Sequence, residues 1–150
     1  MSLSIGTLVE NFTLNDHKRE TFNLEDYKGK KVLISSHPLA WTKVCAVQMQ
    51  AIDDNWKTFE NNNTIAVGFS TDPVPTKRAW AEHLGIENTP LLSDFWPHGE
   101  VAKQLGIFRE KEGISERANI LLDEDHKVLF FKVYPLKENP DLEEVLNQIY

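Results

Sequence analysis

The fold is best inferred from KKVLISSHPLAWTKVCAVQMQ, residues 30–50, which leads from an apolar segment through a proline into a helix. Residues 30–37 form a compact apolar run with lysines ahead of it and Pro38 after it, which is typical of a strand. From Cys45 onward, apolar residues recur at steps of four, three, four and three: Cys45, Met49, Ile52, Trp56 and Phe59. These steps predict one helix with a single apolar face, which the residues ENNN at 60–63 terminate.

The segments after this stretch predict an α/β fold. They are a strand at 64–70, a helix at 75–85, a short extended segment at 90–94, a helix at 98–106, strands at 118–123 and 128–134, and a helix at 139–150. A strand–helix–strand unit followed by two neighbouring strands and a helix is the thioredoxin-like arrangement, a central mixed β-sheet flanked by helices. The first 30 residues then form an N-terminal β extension, with a hairpin around Asp16 and His17.

Length and composition limit the kinds of protein that this chain can be. Its 150 residues suit a single domain spanning 1–150. The formal net charge of −7 argues against a nucleic-acid partner, because phosphate backbones recruit an excess of lysine and arginine. No apolar run predicts a membrane span, and the single cysteine suits a reducing compartment, so we expect a cytoplasmic protein.

The single cysteine, Cys45, has two interpretations. Its place on the apolar stripe favours a buried structural thiol. Its place in the first turn of a helix favours a thiolate, because free N–H groups and the positive end of the helix dipole lie there. Lowering a thiol pKa from about 8.5 to about 6 raises the thiolate fraction at pH 7 only roughly thirtyfold, so efficient chemistry needs further charge-stabilising groups.

The spacing of Pro38, Thr42 and Cys45, P-x-x-x-T-x-x-C, resembles the peroxidatic motif of the peroxiredoxins, the AhpC/TSA superfamily. The segments RAWAEHLGI at 78–86 and SDFWPHGEVAKQLGIF at 93–108 are similar to the AhpE-like branch of that family. ERANILLDEDHKVLFFKV at 116–133 resembles the arginine-bearing strand and hairpin of the family. The resemblance covers essentially the whole chain and implies a thiol-dependent peroxidase of the one-cysteine type.

The resemblance also implies a role for each site residue. Cys45 would be the peroxidatic nucleophile, and Arg117 would hold the charge of the thiolate and of the breaking O–O bond. Thr42 would offer its hydroxyl to the peroxide, and Pro38 would exclude water. Gln48 would orient Arg117, and backbone N–H groups near Cys45 would complete the pocket.

Each partner residue has a structural alternative. Thr42 suits a helix N-cap, and a lone arginine such as Arg117 is commonly a solvated charge. His37 is either a residue that tunes the thiolate or a hydrogen-bonded structural histidine. We expect Trp41 to pack around the pocket.

Regeneration of the enzyme needs a partner. Oxidation gives a sulfenic acid, and the chain has no second cysteine to resolve it. An external thiol would therefore restore Cys45: thioredoxin, a glutaredoxin- or mycoredoxin-like protein, or a small thiol. Because Cys45 begins a buried stripe, we expect the first helical turn to loosen for the reductant. By resemblance we expect a homodimer, a peroxide substrate, and neither a cofactor nor a metal.

A rival function from another class is a redox-sensing or interaction module, in which oxidation of Cys45 is a signal. A dithiol oxidoreductase is disfavoured because residue 48 is glutamine, so there is no C-x-x-C motif. No histidine forms a ligand-spaced pair, and no phosphate-binding glycine loop appears.

Overall fold

The structure, a computed structural model, describes residues 3–150. Its strands are β1 Thr13–Asp16, β2 Thr21–Asn23, β3 Lys31–Ser36, β4 Thr64–Ser70, β5 Leu91–Ser93, β6 Phe108–Arg109, β7 Ile114–Ser115, β8 Arg117–Leu122 and β9 Val128–Tyr134. Its α-helices are α1 Lys43–Asp54, α2 Trp56–Asn61, α3 Val74–Leu84, α4 Glu100–Gln104 and α5 Leu142–Ile149. None of the helices within residues 3–150 is long and apolar enough to cross a membrane.

Seven of the strands form one mixed sheet in the order β2-β1-β5-β4-β3-β8-β9. Strands β3, β4 and β5 run parallel, while β8 runs antiparallel to β3 and β9 antiparallel to β8. The strand–helix–strand unit β3-α1-β4 and the hairpin β8-β9 confirm the predicted fold class. The predicted N-terminal extension is the hairpin β1-β2, which joins the sheet through β5.

Apolar side chains cover both faces of this sheet. One buried cluster joins the N-terminal segment and α4 to the sheet, and it includes Phe12, Phe22, Val101 and Leu105. The other joins α1, α3 and α5 to the opposite face, and it includes Cys45, Met49, Trp80 and Leu146. Because strands alternate their side chains between faces, β3 contributes Ile34 to the first cluster and Leu33 to the second.

The prediction of one continuous helix from Cys45 to Phe59 is wrong. The helix divides at Asn55, and Trp56 lies at the surface with 37% exposure. The Asn55 side chain donates to the Ala51 carbonyl at 2.8 Å, and its backbone N–H bonds three residues back to Ile52. Trp56, directly after this tighter turn, therefore leaves the stripe, whereas Phe59 is buried in the same cluster as Cys45.

Helix α3 follows the prediction closely. It carries Pro75 in its first turn and ends at Gly85, which adopts the left-handed conformation at a φ of 72°. Glycine takes this conformation without a steric penalty, so the chain can turn back toward β5. The short hairpin β6-β7 was not predicted, because strands of two residues carry no periodicity.

Candidate active site

Cys45 lies in the first turn of α1 and is only 1% exposed. The preceding loop, residues 37–42, leads from the carboxyl end of β3 into this helix, so the thiol lies near the carboxyl end of this central strand. One turn further along, Met49 packs onto β4 at Gly68, where a Cβ atom would come within 2.6 Å of the methionine sulfur. The absence of a side chain at Gly68 therefore lets α1 approach the sheet closely.

Arg117 begins β8 and reaches the sulfur from the neighbouring strand. Its Nη1 and Nη2 atoms both donate to Cys45 Sγ at 3.4 Å, while Nε and Nη2 donate to the Leu136 carbonyl at 3.1 and 2.8 Å. The side chain is buried with 2% exposure, so Arg117 is not the solvated charge of the alternative interpretation. Within residues 3–150 it has no carboxylate partner, so its positive charge remains directed at the sulfur.

Gln48 hydrogen bonds to this guanidinium. Its Oε1 accepts a hydrogen bond from Arg117 Nη1 at 2.7 Å, and its Nε2 donates to Ser35 Oγ at 2.8 Å and to the Ser36 carbonyl at 3.0 Å. Ser35 in turn donates to Asn119 Oδ1 at 2.8 Å, across a paired position of β3 and β8. This buried chain of hydrogen bonds fixes the amide so that its oxygen faces the arginine.

Thr42 occupies the N-cap position of α1, but its side chain does not cap the helix. The backbone carbonyl of Thr42 accepts from Ala46 at 3.0 Å, whereas its hydroxyl donates to the Leu39 carbonyl at 2.8 Å. The first N–H groups of α1, including that of Cys45, are therefore not satisfied by the cap side chain. The lone pairs of the Thr42 hydroxyl are also free to accept a further hydrogen bond.

The loop between β3 and α1 buries two apolar residues and exposes two. Pro38 and Ala40 are buried, whereas Leu39 and Trp41 are 43% and 53% exposed. The ring of Trp41 packs against that of His83, with centroids 5.1 Å apart and planes tilted by 32°, and the Trp41 backbone has a φ of 70°. A left-handed backbone at a bulky residue is strained, and such strain is found most often at functional sites.

His37 does not hydrogen bond to Cys45 but belongs to a second buried cluster. Its Nε2 lies 3.3 Å from Lys77 Nζ, and Lys77 also donates to Ser70 Oγ. Burial, and then the charges of Lys77 and Arg117, hold the pKa of His37 well below its ordinary value. Burial lowers the pKa of Lys77 to about 8, although Asp72 and then Cys45 act to raise it.

Sequence reasoning missed Lys77, Ser70 and Asp72. The sequence does hold one signal for Lys77, because it shares a helical stripe with Trp80 and Ala81, three and four residues further on. Both of these residues are buried, as is Lys77. Ser70 and Asp72 carry no comparable signal, because short polar residues after a strand are common in turns.

Three comparisons place this chain among known proteins. The family model described as the AhpC/TSA family matches residues 5–131. Alkyl hydroperoxide reductase E of Mycobacterium tuberculosis is 37% identical over 129 residues, which cover 85% of this chain and 84% of the relative. A peroxiredoxin of Thermoplasma volcanium is 30% identical over a match that covers 99% of this chain and 74% of the relative.

A solved structure agrees with these sequence relatives. The crystal structure of peroxidoxin BcpB from Mycobacterium tuberculosis superimposes with a TM-score of 0.86 at 28% identity, covering 98% of this chain and 96% of that chain. The matches favour an enzyme over the redox-sensing module, and a single cysteine fits the one-cysteine type. The chain belongs to the AhpC/TSA family of peroxiredoxins and is a thiol-dependent peroxidase.

Proposed function

We propose that Cys45 is the nucleophile of this peroxidase and that it attacks the hydroxyl oxygen of a hydroperoxide. A sulfur–oxygen bond forms as the O–O bond breaks, so the sulfur is oxidised to a sulfenic acid and the peroxide is reduced. The leaving alkoxide, or hydroxide when the substrate is hydrogen peroxide, is protonated by the buffered solvent to give an alcohol or water. The observation that carries the proposal is the pair of guanidinium contacts, both at 3.4 Å, to Cys45 Sγ.

Arg117 is proposed to stabilise negative charge throughout this reaction. Before the attack the charge rests on the sulfur, and during the attack it spreads across the oxygen atoms. A buried guanidinium that bonds otherwise to neutral oxygens, those of Gln48 and Leu136, can serve both positions without reorganising. Each hydrogen bond to a charged group contributes on the order of 1.5–3 kcal/mol, and about 1.4 kcal/mol corresponds to a factor of ten in rate.

Thr42 and Pro38 are proposed to form the remainder of the peroxide site. Because the Thr42 proton is directed at Leu39, its oxygen is suited to accept a hydrogen bond from the hydroxyl group of the peroxide. The first-turn N–H groups of α1 are suited to donate to the peroxide oxygens. Pro38, buried in the loop before the helix, keeps water away from the sulfur.

The sulfenic acid is proposed to be reduced by an external thiol. Attack of that thiol releases water and leaves a mixed disulfide on Cys45, which a second thiol resolves to regenerate the free cysteine. Thioredoxin, a glutaredoxin- or mycoredoxin-like protein and a small thiol all supply this chemistry. The burial of Cys45 supports a step in which the first turn of α1 opens to admit the reductant.

We further propose that alkyl hydroperoxides are accepted beside hydrogen peroxide. The exposed apolar side chains of Leu39 and Trp41, in the loop that carries Pro38, support an apolar rim. The name of the mycobacterial relative, alkyl hydroperoxide reductase E, supports the same substrate class. We propose that residues 1–150 act as one domain, as a homodimer, in the reducing environment of the cytoplasm.

Rapid-mixing fluorescence tests the role of Cys45. The chain has four tryptophans, including Trp41 four residues from the thiol, that can report oxidation. We expect the reduced protein to react with hydrogen peroxide and with tert-butyl hydroperoxide much faster than free cysteine does. Cys45→Ser should abolish the signal. A rate equal to that of free cysteine would favour the sensing module or a structural thiol.

A further inference from the structure

Lys77 is a buried cation that the proposed reaction leaves without a role. It lies on α3 with no exposed surface, and its ammonium group extends to the carboxyl ends of β3 and β4. There it meets His37 Nε2 at 3.3 Å and donates to Ser70 Oγ. Burying an ammonium group is costly, so its presence needs a compensating reason.

Two sets of contacts connect this ammonium group to the loop that carries the proposed peroxide site. The first is His37 itself, which directly precedes Pro38. The second runs through Ser70, whose hydroxyl donates to Asp72 Oδ2 at 2.6 Å, and the same carboxylate oxygen accepts from the backbone N–H of Ala40 at 2.9 Å. The loop is therefore held on both sides of Pro38 by groups that converge on one lysine.

The protonation states fit this arrangement. Because burial and the neighbouring cations lower the pKa of His37, its imidazole is neutral near pH 7 and its Nε2 can accept from Lys77. The imidazole proton then lies on Nδ1, which has no hydrogen-bond partner within residues 3–150. The histidine therefore contributes no charge, and the ammonium of Lys77 is the cation of this cluster.

The charged and titratable groups around Lys77 determine whether its ammonium form is favoured. Asp72 and Cys45 favour its charged form, and the positive charge of Lys77 acts on His37 and on His17. The same attraction means that the ammonium of Lys77 interacts favourably with a negative charge on the Cys45 sulfur. Arg117 contacts that sulfur directly, so the two buried cations act on the same charge from different elements.

We propose that Lys77 is a positioning residue for the peroxide site: its ammonium fixes the loop around Pro38 through His37 and the Ser70–Asp72 pair, and it supplies a second positive charge to the thiolate. This inference rests on the proposed role of Cys45. The buried face of α3 would then support the peroxide site in addition to packing against the sheet.

Lys77→Met tests the inference, because methionine retains the length and removes the charge. The matched control is Arg78→Met, which removes one positive charge from the neighbouring, exposed position of the same helix. We expect Lys77→Met to lower the alkylation rate of Cys45 by iodoacetamide at pH 7 on the order of tenfold. The peroxide oxidation rate should fall at least as much, and Arg78→Met should change both rates less than twofold.

A pH profile adds a readout that lost packing would not produce, and it uses the intact wild-type protein. Since the pKa of Lys77 is lowered to about 8, its charge disappears as the pH rises above that value. The wild-type oxidation rate should therefore decline severalfold between about pH 7.5 and pH 9.5. Arg78→Met should show the same decline, whereas Lys77→Met should show none.

The outcomes separate this inference from the proposed function. If the wild-type protein oxidises no faster than free cysteine, the role of Cys45 fails. If the wild-type protein reacts quickly but its rate is level from pH 7.5 to 9.5, the inference about Lys77 is overturned. It is likewise overturned if Lys77→Met is alkylated and oxidised as fast as the wild-type protein.

Discussion

Arg117 and Arg109 are eight residues apart in the sequence, yet the fold uses them in opposite ways. Arg109 lies on β6 at the surface and forms ion pairs with Glu112 at 2.7 Å and Glu116 at 2.8 Å. Arg117 lies in the interior at the start of β8, and its protein acceptors apart from the sulfur are neutral oxygens.

This contrast shows that the partners of an arginine decide whether its charge can act on a neighbouring reactive group. Hydrogen bonds from Arg109 lower the pKa of Glu112, and the charge of the guanidinium is paired with two carboxylates. Arg117 has no such compensation within residues 3–150, and little solvent screens its charge. Its charge therefore faces Cys45, and the residue type that forms surface ion pairs at position 109 is proposed to stabilise charge in the reaction at position 117.

The largest expected effect is the difference in oxidation rate between variants of the two arginines. Arg117→Met should lower the rate of Cys45 oxidation by peroxide between about tenfold and a thousandfold, because it removes two charged hydrogen bonds to the sulfur. Arg109→Met should change that rate less than twofold. Rapid-mixing fluorescence measures both rates, and circular dichroism verifies that both variants fold. Equal oxidation rates for the two variants would show that Arg117 has no role in the reaction.

A smaller effect is expected at Gln48, which acts through Arg117. Gln48→Leu should slow oxidation by peroxide about tenfold, because the guanidinium loses the 2.7 Å bond that orients it. Alkylation of Cys45 by iodoacetamide should fall less than peroxide oxidation, since alkylation breaks no O–O bond. Gln50→Leu, on the exposed side of the same helix, is the control. A uniform loss in both reactions would indicate general damage to the site.

The weakest effect should be on the stability that Arg109 provides. Ion pairs that remain open to solvent contribute little, and those of the half-buried Arg109 are partly screened in this way, so Arg109→Met should lower the midpoint of thermal unfolding by less than about 3 °C. The difference from the wild-type protein should shrink in 1 M NaCl, because salt screens exposed charges. Differential scanning calorimetry at low and high salt measures it. A large, salt-independent loss would mean that Arg109 acts through packing.

Much of this arrangement could be predicted from local sequence. The order of strands and helices, the helix from Pro75 to Gly85 and the turn at Asp16 follow from periodicity and from glycine and proline placement. The break at Asn55 could not be predicted in this way, because the apolar spacing continues unchanged through it. There a side-chain hydrogen bond to Ala51 outweighs the pattern.

The candidate site could likewise be predicted only in part from local sequence. Local sequence was enough to indicate the thiol at the start of a helix, with a proline and a threonine before it, whereas Arg117 was named only through the resemblance to the peroxiredoxins. Long-range folding was needed to bring Arg117 rather than Arg109 to the sulfur, since the pairing of β3 with β8 places Arg117 beside Cys45, a residue 72 positions away in the chain. The packing of α3 on the strand ends was likewise needed to reveal Lys77. Periodicity reports which face of an element is buried, whereas the partners of a buried charge depend on contacts between distant segments.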